Sequence, residues 1–262
     1  MDKNDYYTSG TSGLMAYLSA TAVNSKLALV GYTNKDSNSY SRDPKFTSTQ
    51  DLHINAPSSK CIAENSGDII SLFNTDIDGQ TRPDGDANSN GGGTKYDIGA
   101  DEFDGIPEDT FYMAQVTPTQ PYTGLTTASS KKQAILSVGV KVSGVYKAFN
   151  ITSFTFNTSG TSNASTNLDS AKVYYAGLTG NIDTSATSLF GGVASPNGTF
   201  TINGSWPIFS DTTFYFNLFY DLKTGAQIGD SIDAQLVSVT GNSTVNYGGG
   251  ATSGNRKITG PM

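Results

Sequence analysis

Asp84-Gly85-Asp86-Ala87-Asn88 carries side-chain oxygens at every second position, the spacing that gathers oxygens around a calcium ion. The loop is incomplete. Ser89 stands at its sixth position, where glycine makes the sharp turn, and Lys95 at its twelfth, where a bidentate carboxylate closes the shell. An Asx-rich surface loop, its side chains bonded to nearby backbone N–H groups, would use the same residues. Ca²⁺ at Asp84, Asp86 and Asn88 is therefore an option, with no cofactor required. Asp76, Asp78, Asp101 and Glu102 offer a second chemistry, because two close carboxylates hydrolyse glycosides when a cleft sets their pKa values apart. Asp78-Gly79 is also a turn signal, and Arg82 is at hand to pair with an acid. The structural reading is preferred, and no catalytic residue is expected.

His53 is the single histidine, so any Ser-His-Asp or Cys-His arrangement would have to use it. It sits between Leu52 and Ile54, opposite to them in strand parity, as a structural or surface histidine does. Gly91-Gly92-Gly93 and Gly248-Gly249-Gly250 lack the Lys-Ser/Thr of a phosphate loop. Trp206, Tyr174 and Tyr215 are the rings able to stack on a sugar, although a Trp flanked by Ser205 and Pro207 equally well plugs one end of a β-sandwich core.

The elements that must carry these residues are strands. Glycine at 29 of 262 residues, 15% charged residues and 11% aromatics describe an extracellular all-β protein whose tight turns consume Gly and Asn. A net charge of −7, with 16 Lys and Arg, opposes nucleic acid and anionic membranes as partners. Cys61 is the only cysteine, which excludes an intrachain disulfide and a Cys-based metal site. No apolar run approaches the roughly 18 residues of a membrane span, so membrane insertion is not expected. Met1-Asp2-Lys3 reads as the start of a cloned piece of a longer secreted parent.

Up to residue 104 short apolar words alternate with Ser, Asn and Asp. The stretch 76–104 then closes a first module, and 105–111, with Pro107 fixing its own φ, reads as a linker. From 112 onward a period of two takes over. Ala134, Leu136, Val138, Val140 and Val142 fall on one face of a half-buried strand, with Ser137, Gly139 and Lys141 on the other. Phe154 and Phe156, Val173 and Tyr175, and Phe214, Phe216 and Leu218 repeat the pattern, and Ile232, Ala234 and Leu236 continue it along one more strand. Such spacing suits an antiparallel β-sandwich over 112–262.

Two resemblances sharpen this. The ordered words Asp43-Pro44-Lys45-Phe46, Asp51-Leu52-His53-Ile54, Asp76-Ile77-Asp78-Gly79 with Arg82, and Asp97 to Phe103 resemble the C-terminal end of secreted right-handed parallel β-helix proteins. The usual Pro and Gly are missing around Ser59 to Glu64. This resemblance implies that residues 1–104 are terminal coils and a cap, with Leu52, Ile54, Ile69, Ile70, Leu72, Phe73, Ile77, Ile98 and Phe103 inward. Residues 112–259, through Phe154 to Thr161, Asp169 to Tyr175 and Phe214 to Leu222, resemble the β-sandwich found beside neuraminidase repeats in large Bacteroidetes surface proteins. Together the resemblances imply a non-enzymatic part of a secreted or cell-surface protein, a stalk with an adhesive or glycan-binding surface. Its partners would be polysaccharides, neighbouring domains of one polypeptide and that phylum's gliding-associated secretion machinery. The alternatives they leave are the accessory end of a polysaccharide lyase or glycosidase with its active site upstream, and a passive spacer.

Overall fold

The computed structural model describes residues 4–8, 13–18, 21–36, 38–55, 60–70, 72, 74–82, 95–103, 105–109, 111–145, 149–182, 184–241, 247–250, 252 and 254–260. Strand accounts for 44% of the chain and helix for 5%, so the protein is all-β. It divides into two compact units, Met1–Phe111 with Gly144–Ala148, and Tyr112–Ser143 with Phe149–Met262.

The first unit holds the strands β1 (Ala16–Leu18), β2 (Thr21–Val23), β3 (Lys60–Cys61) and β4 (Ile106–Pro107) and the helix α1 (Lys26–Thr33). Lys26 to Val30, a short apolar segment, is helical. Ser25 caps it, its hydroxyl accepting from Ala28 N at 3.2 Å, and Asn34 ends it in the left-handed region at φ 53°. Parallel pairing in this unit, among the described residues, is confined to Asp5 with Tyr40 and β3 with β4. Phe46–Ile54 and Thr75–Thr81 bridge antiparallel. Parallel pairing of this extent does not by itself show a stack of coils. Ile106–Pro107, expected within the linker, pairs instead with Lys60–Cys61.

The inward set changes accordingly. Leu52, Ile69, Ile70, Leu72 and Ile77 are 52 to 85% exposed, whereas Phe103 is buried with Cys61 and Ala63, and Ile54 and Ile98 pack against them. Strand parity assigns faces only where a sheet ladder holds the chain, and these words are separated by turns that the side chains themselves bond. Phe73 lies outside the described residues.

The second unit is a sandwich. Its strands are β5 (Tyr112–Thr119), β6 (Thr126–Thr127), β7 (Gln133–Ser143), β8 (Phe149–Asn157), β9 (Leu168–Gly177), β10 (Leu189–Ala194), β11 (Thr199–Ile208), β12 (Thr212–Leu222), β13 (Ser231–Ile232), β14 (Gln235–Gly241), β15 (Tyr247–Gly248) and β16 (Arg256–Thr259), with the helical turn α2 (Ala164–Asn167) before β9. A five-stranded sheet runs β10-β9-β12-β7-β5 and a four-stranded sheet β11-β8-β14-β15. Both are antiparallel throughout. Alternating aromatics fill the space between them. The Phe154 ring meets Phe216 at 5.0 Å and Phe190 at 5.1 Å, and Phe156 meets Phe200 at 5.8 Å. Offset and edge contacts of this kind add about 0.5–1.5 kcal/mol per pair to the burial itself.

Two expectations need correction here. Ile232, Ala234 and Leu236 do not share one strand: β13 joins a three-stranded sheet with β16 and β6, and β14 starts only at Gln235. The break falls at Asp233, whose backbone N–H donates to Thr161 Oγ1 and whose carboxylate accepts from Ala234 N, leaving no ladder across it. And β7 is not half-buried. Ile135 and Ser137, on the face turned away from the aromatic core, are 0% and 1% exposed. The connection from β9 to β10 lies against that face: Lys132 Nζ donates to Ala186 O at 2.6 Å, and a Cβ on Gly180 would come 3.1 Å from the Tyr215 ring.

Candidate functional site

In the first unit, the acids of the closing stretch are spent on backbone. Asp76 Oδ1 accepts from Asp78 N and Gln80 N at 2.9 and 2.7 Å, closing a turn that Gly79 permits at φ 82°, and Oδ2 accepts from Glu102 N. Arg82 Nε donates to Glu102 Oε1 at 2.6 Å, while its Nη2 donates to the carbonyls of Asp97 and Gly99. Its guanidinium lies 5.0 Å from the centre of the Tyr96 ring. Asp97 accepts from Asn65 N and Phe103 N, and Asp101 from Ile54 N. Burial pushes Asp97 up to about 7 against those donors, with the Glu102 carboxylate adding to the rise. Asp97 and Glu102 are 4% and 3% exposed, which closes both to substrate. The acids thus tie the strands of the unit together through donors that would otherwise be buried unpaired.

His53 stands at the surface with Nδ1 2.5 Å from Asp51 Oδ1 and Nε2 3.1 Å from Asp78 Oδ2. Its bond to Asp51 and then to Asp78 holds the imidazole above its ordinary range. Ligand atoms of His53, Asp78 and Asp101 lie within 4.8 Å of one another. Both ring nitrogens face carboxylates and Asp101 accepts from Ile54 N, so the three groups are already paired with one another, with Asp51 and with backbone. Asp84, Asp86 and Asn88 lie outside the described residues. Asp5, Tyr7, Phe46, Leu52, Ile54 and Ile98 also line an apolar recess of ≈ 590 Å³ in this unit.

The second unit presents a different surface. Register aligns Gln115, Lys141 and Thr213 in one row across β5, β7 and β12, and Thr117, Gly139 and Tyr215 in the next. Both rows face away from the aromatic core, because Val116, Val140, Phe214 and Phe216 take the alternate positions. With Thr119 and Gly180 these residues line a groove of ≈ 350 Å³. Gly139 is there for space: a Cβ at that position would come within 3.0 Å of the Tyr215 ring. The lining is therefore one aromatic ring, three threonine hydroxyls, a glutamine amide and the Lys141 ammonium. Such a set offers donors, acceptors and a stacking surface.

Of the three rings expected at a sugar, only Tyr215 lines this groove. Trp206 stacks on Tyr175 at 4.2 Å and 31° and sets its edge to Phe216, half-buried at the end of the core. Tyr174 has the edge of Phe219 on its ring at 5.7 Å and Lys132 Nζ over it at 4.7 Å. Sequence reasoning did not single out Gln115, Thr117, Thr119 or Gly180. The signal that points to them is Gly139, a glycine inside a run of β-branched residues, which marks a close approach from the facing side. No protein-family model matches the chain, and no curated protein is significantly similar to it.

Proposed function

We propose that the protein is a glycan-binding module of a secreted or cell-surface polypeptide, and that it binds polysaccharide in the groove over β5, β7 and β12. The observation that carries this reading is the Tyr215 ring, seated on Gly139 and flanked by Thr117, Thr119, Thr213, Gln115 and Lys141. Sugars present apolar C–H faces and a fringe of hydroxyls, and a ring with hydroxyl and amide neighbours answers both. The lining groups bind and orient a ligand through hydroxyl, amide and ammonium contacts. Binding without turnover is the activity that follows.

On this reading the first unit is the closing cap of a β-helical stalk. The two parallel rungs at Tyr40 and Ile106 and the ≈ 590 Å³ apolar recess support it, because a stacked coil lays its inward side chains into such a recess. The neighbouring coils would belong to the same longer polypeptide. The reading as accessory end of a polysaccharide-degrading enzyme differs only in what those coils carry.

Affinity electrophoresis in gels containing soluble polysaccharides tests the groove. The account expects retardation of the wild type, lost in Tyr215→Ala and kept in Trp206→Ala, whose ring is committed to Tyr175. Retardation that survives Tyr215→Ala and disappears with Trp206→Ala would move the site to the end of the sandwich.

A further inference from the structure

Beyond the groove, the same two strands carry a polar pair that the fold leaves unsatisfied. Asn217 and Ser137 are register partners between β12 and β7, one row along from Tyr215 and Gly139, and Thr119 and Tyr174 extend that row across β5 and β9. Asn217 is 0% and Ser137 1% exposed. Asn217 Oδ1, Asn217 Nδ2 and Ser137 Oγ have no hydrogen-bond partner. An amide buried with both ends unpaired loses its hydration and regains nothing, whereas an apolar side chain of similar volume would pack there without that loss. Buried groups of this kind call for a partner, an ordered water or a ligand.

The cover over the pair shows how one could arrive. The described parts of the β9–β10 connection, 178–182 and 184–188, touch this face at two points. Gly180 lies against Tyr215, and Ala186 O accepts from Lys132 Nζ beside Phe219. Asn217 lies on β12 between Tyr215 and Phe219, that is, between these two points of contact. Its near end is exposed, with Leu178 48% exposed and Thr179, Gly180 and Asn181 at the surface. A chain lying on Tyr215 meets that end first.

We propose that Asn217 and Ser137 form an inner subsite of the Tyr215 groove, and that it selects glycans carrying two adjacent free hydroxyls on one ring. One hydroxyl donates to Asn217 Oδ1, its neighbour accepts from Asn217 Nδ2, and Ser137 Oγ completes the set. The ligand enters from Tyr215 and displaces the 178–182 end of the connection. This inference rests on the glycan-binding reading of the groove.

The test uses the full chain and four neutral probes in affinity gels: dextran, pullulan, a galactomannan and a β-1,3-glucan. The first three are run before and after periodate oxidation, which cleaves the C–C bond between carbons bearing adjacent hydroxyls and turns both into aldehydes. The β-1,3-glucan carries no adjacent free pair along its chain. Wild type is expected to bind at least one of the first three, to lose it after oxidation and to bind the β-1,3-glucan more weakly. Asn217→Leu should weaken binding by about tenfold or more, with a melting temperature unchanged or raised. If Asn217→Leu fails to fold, Ser137→Ala decides, and weakened binding is expected. Binding unchanged in the folded variant, while Tyr215→Ala loses it, would overturn the subsite and leave the groove standing. A lower melting temperature with unchanged binding would assign the pair to an internal water instead. No binding of any probe by the wild type would sink groove and subsite together.

Discussion

Tyr220 buries a phenol completely, and its hydroxyl has no hydrogen-bond partner. Burial, with the Asp233 carboxylate nearby, drives its pKa far above the ordinary range. Removing such a hydroxyl should relieve an unpaid desolvation, so Tyr220→Phe is expected to stabilise the sandwich by about 1 kcal/mol. A fall in the urea midpoint would show that an unseen partner holds the oxygen. Arg82 is the opposite case. Its side chain and that of Glu102 are 10% and 2% exposed, and its guanidinium also donates to two carbonyls. Arg82→Ala leaves a buried acid without its counter-charge and those carbonyls without their donor, and should destabilise the first unit by about 3–5 kcal/mol. A loss within the scatter of surface pairs would mean that water replaces the guanidinium.

Among elements, the central strands of the sandwich carry the load. Phe154 on β8 touches Phe156, Phe190 and Phe216, so Phe154→Ala should cost about 3–5 kcal/mol as the cavity term adds to lost burial. A loss near 1 kcal/mol would indicate that the rings close up around the gap. These strands were legible in the sequence because a period of two over eight or more residues has one dominant reading, and Phe154, Phe156, Phe214 and Phe216 are buried as their parity requires. The outer face was not. Nothing local in Ile135 or Ser137 announces that their face will be buried too. Tyr215 was legible as a ring and Gly139 as a gap, but their meeting is set by the β7–β12 register. In the first unit, side-chain-bonded turns replace ladders, which is why the pairing of Arg82 with an acid could be anticipated and the inward faces of Leu52 and Ile77 could not.

For the whole molecule, the buried acids set a pH dependence. Burial raises Asp97 to about 7, Asp5 to about 6 and Asp233 to about 6 from an ordinary value of 3.8. The folded state holds these protons more tightly than the unfolded chain, so their contribution is full below 3.8 and is lost as pH rises through 6 to 7. His53, raised by Asp51 and Asp78, acts in the same direction. Asp221 and Asp230, held below 3.8 by their partners despite the burial of Asp221, oppose this trend only at lower pH. Melting temperature should therefore be higher at pH 5 than at pH 8, and a protein more stable at pH 8 would contradict the buried-acid account. Asp97 belongs to one unit and Asp233 to the other, so the shift should touch both.

The central claim is that the groove over β5, β7 and β12 is where a glycan lies. Chemical-shift mapping of the ¹⁵N-labelled protein, titrated with the polysaccharide that retards it most in gels, addresses this residue by residue. The account predicts that the amides of Thr117, Gly139, Gly180, Thr213 and Tyr215 shift together and saturate at one affinity. Shifts confined to Tyr175, Trp206 and their neighbours, with those five unmoved, would contradict it.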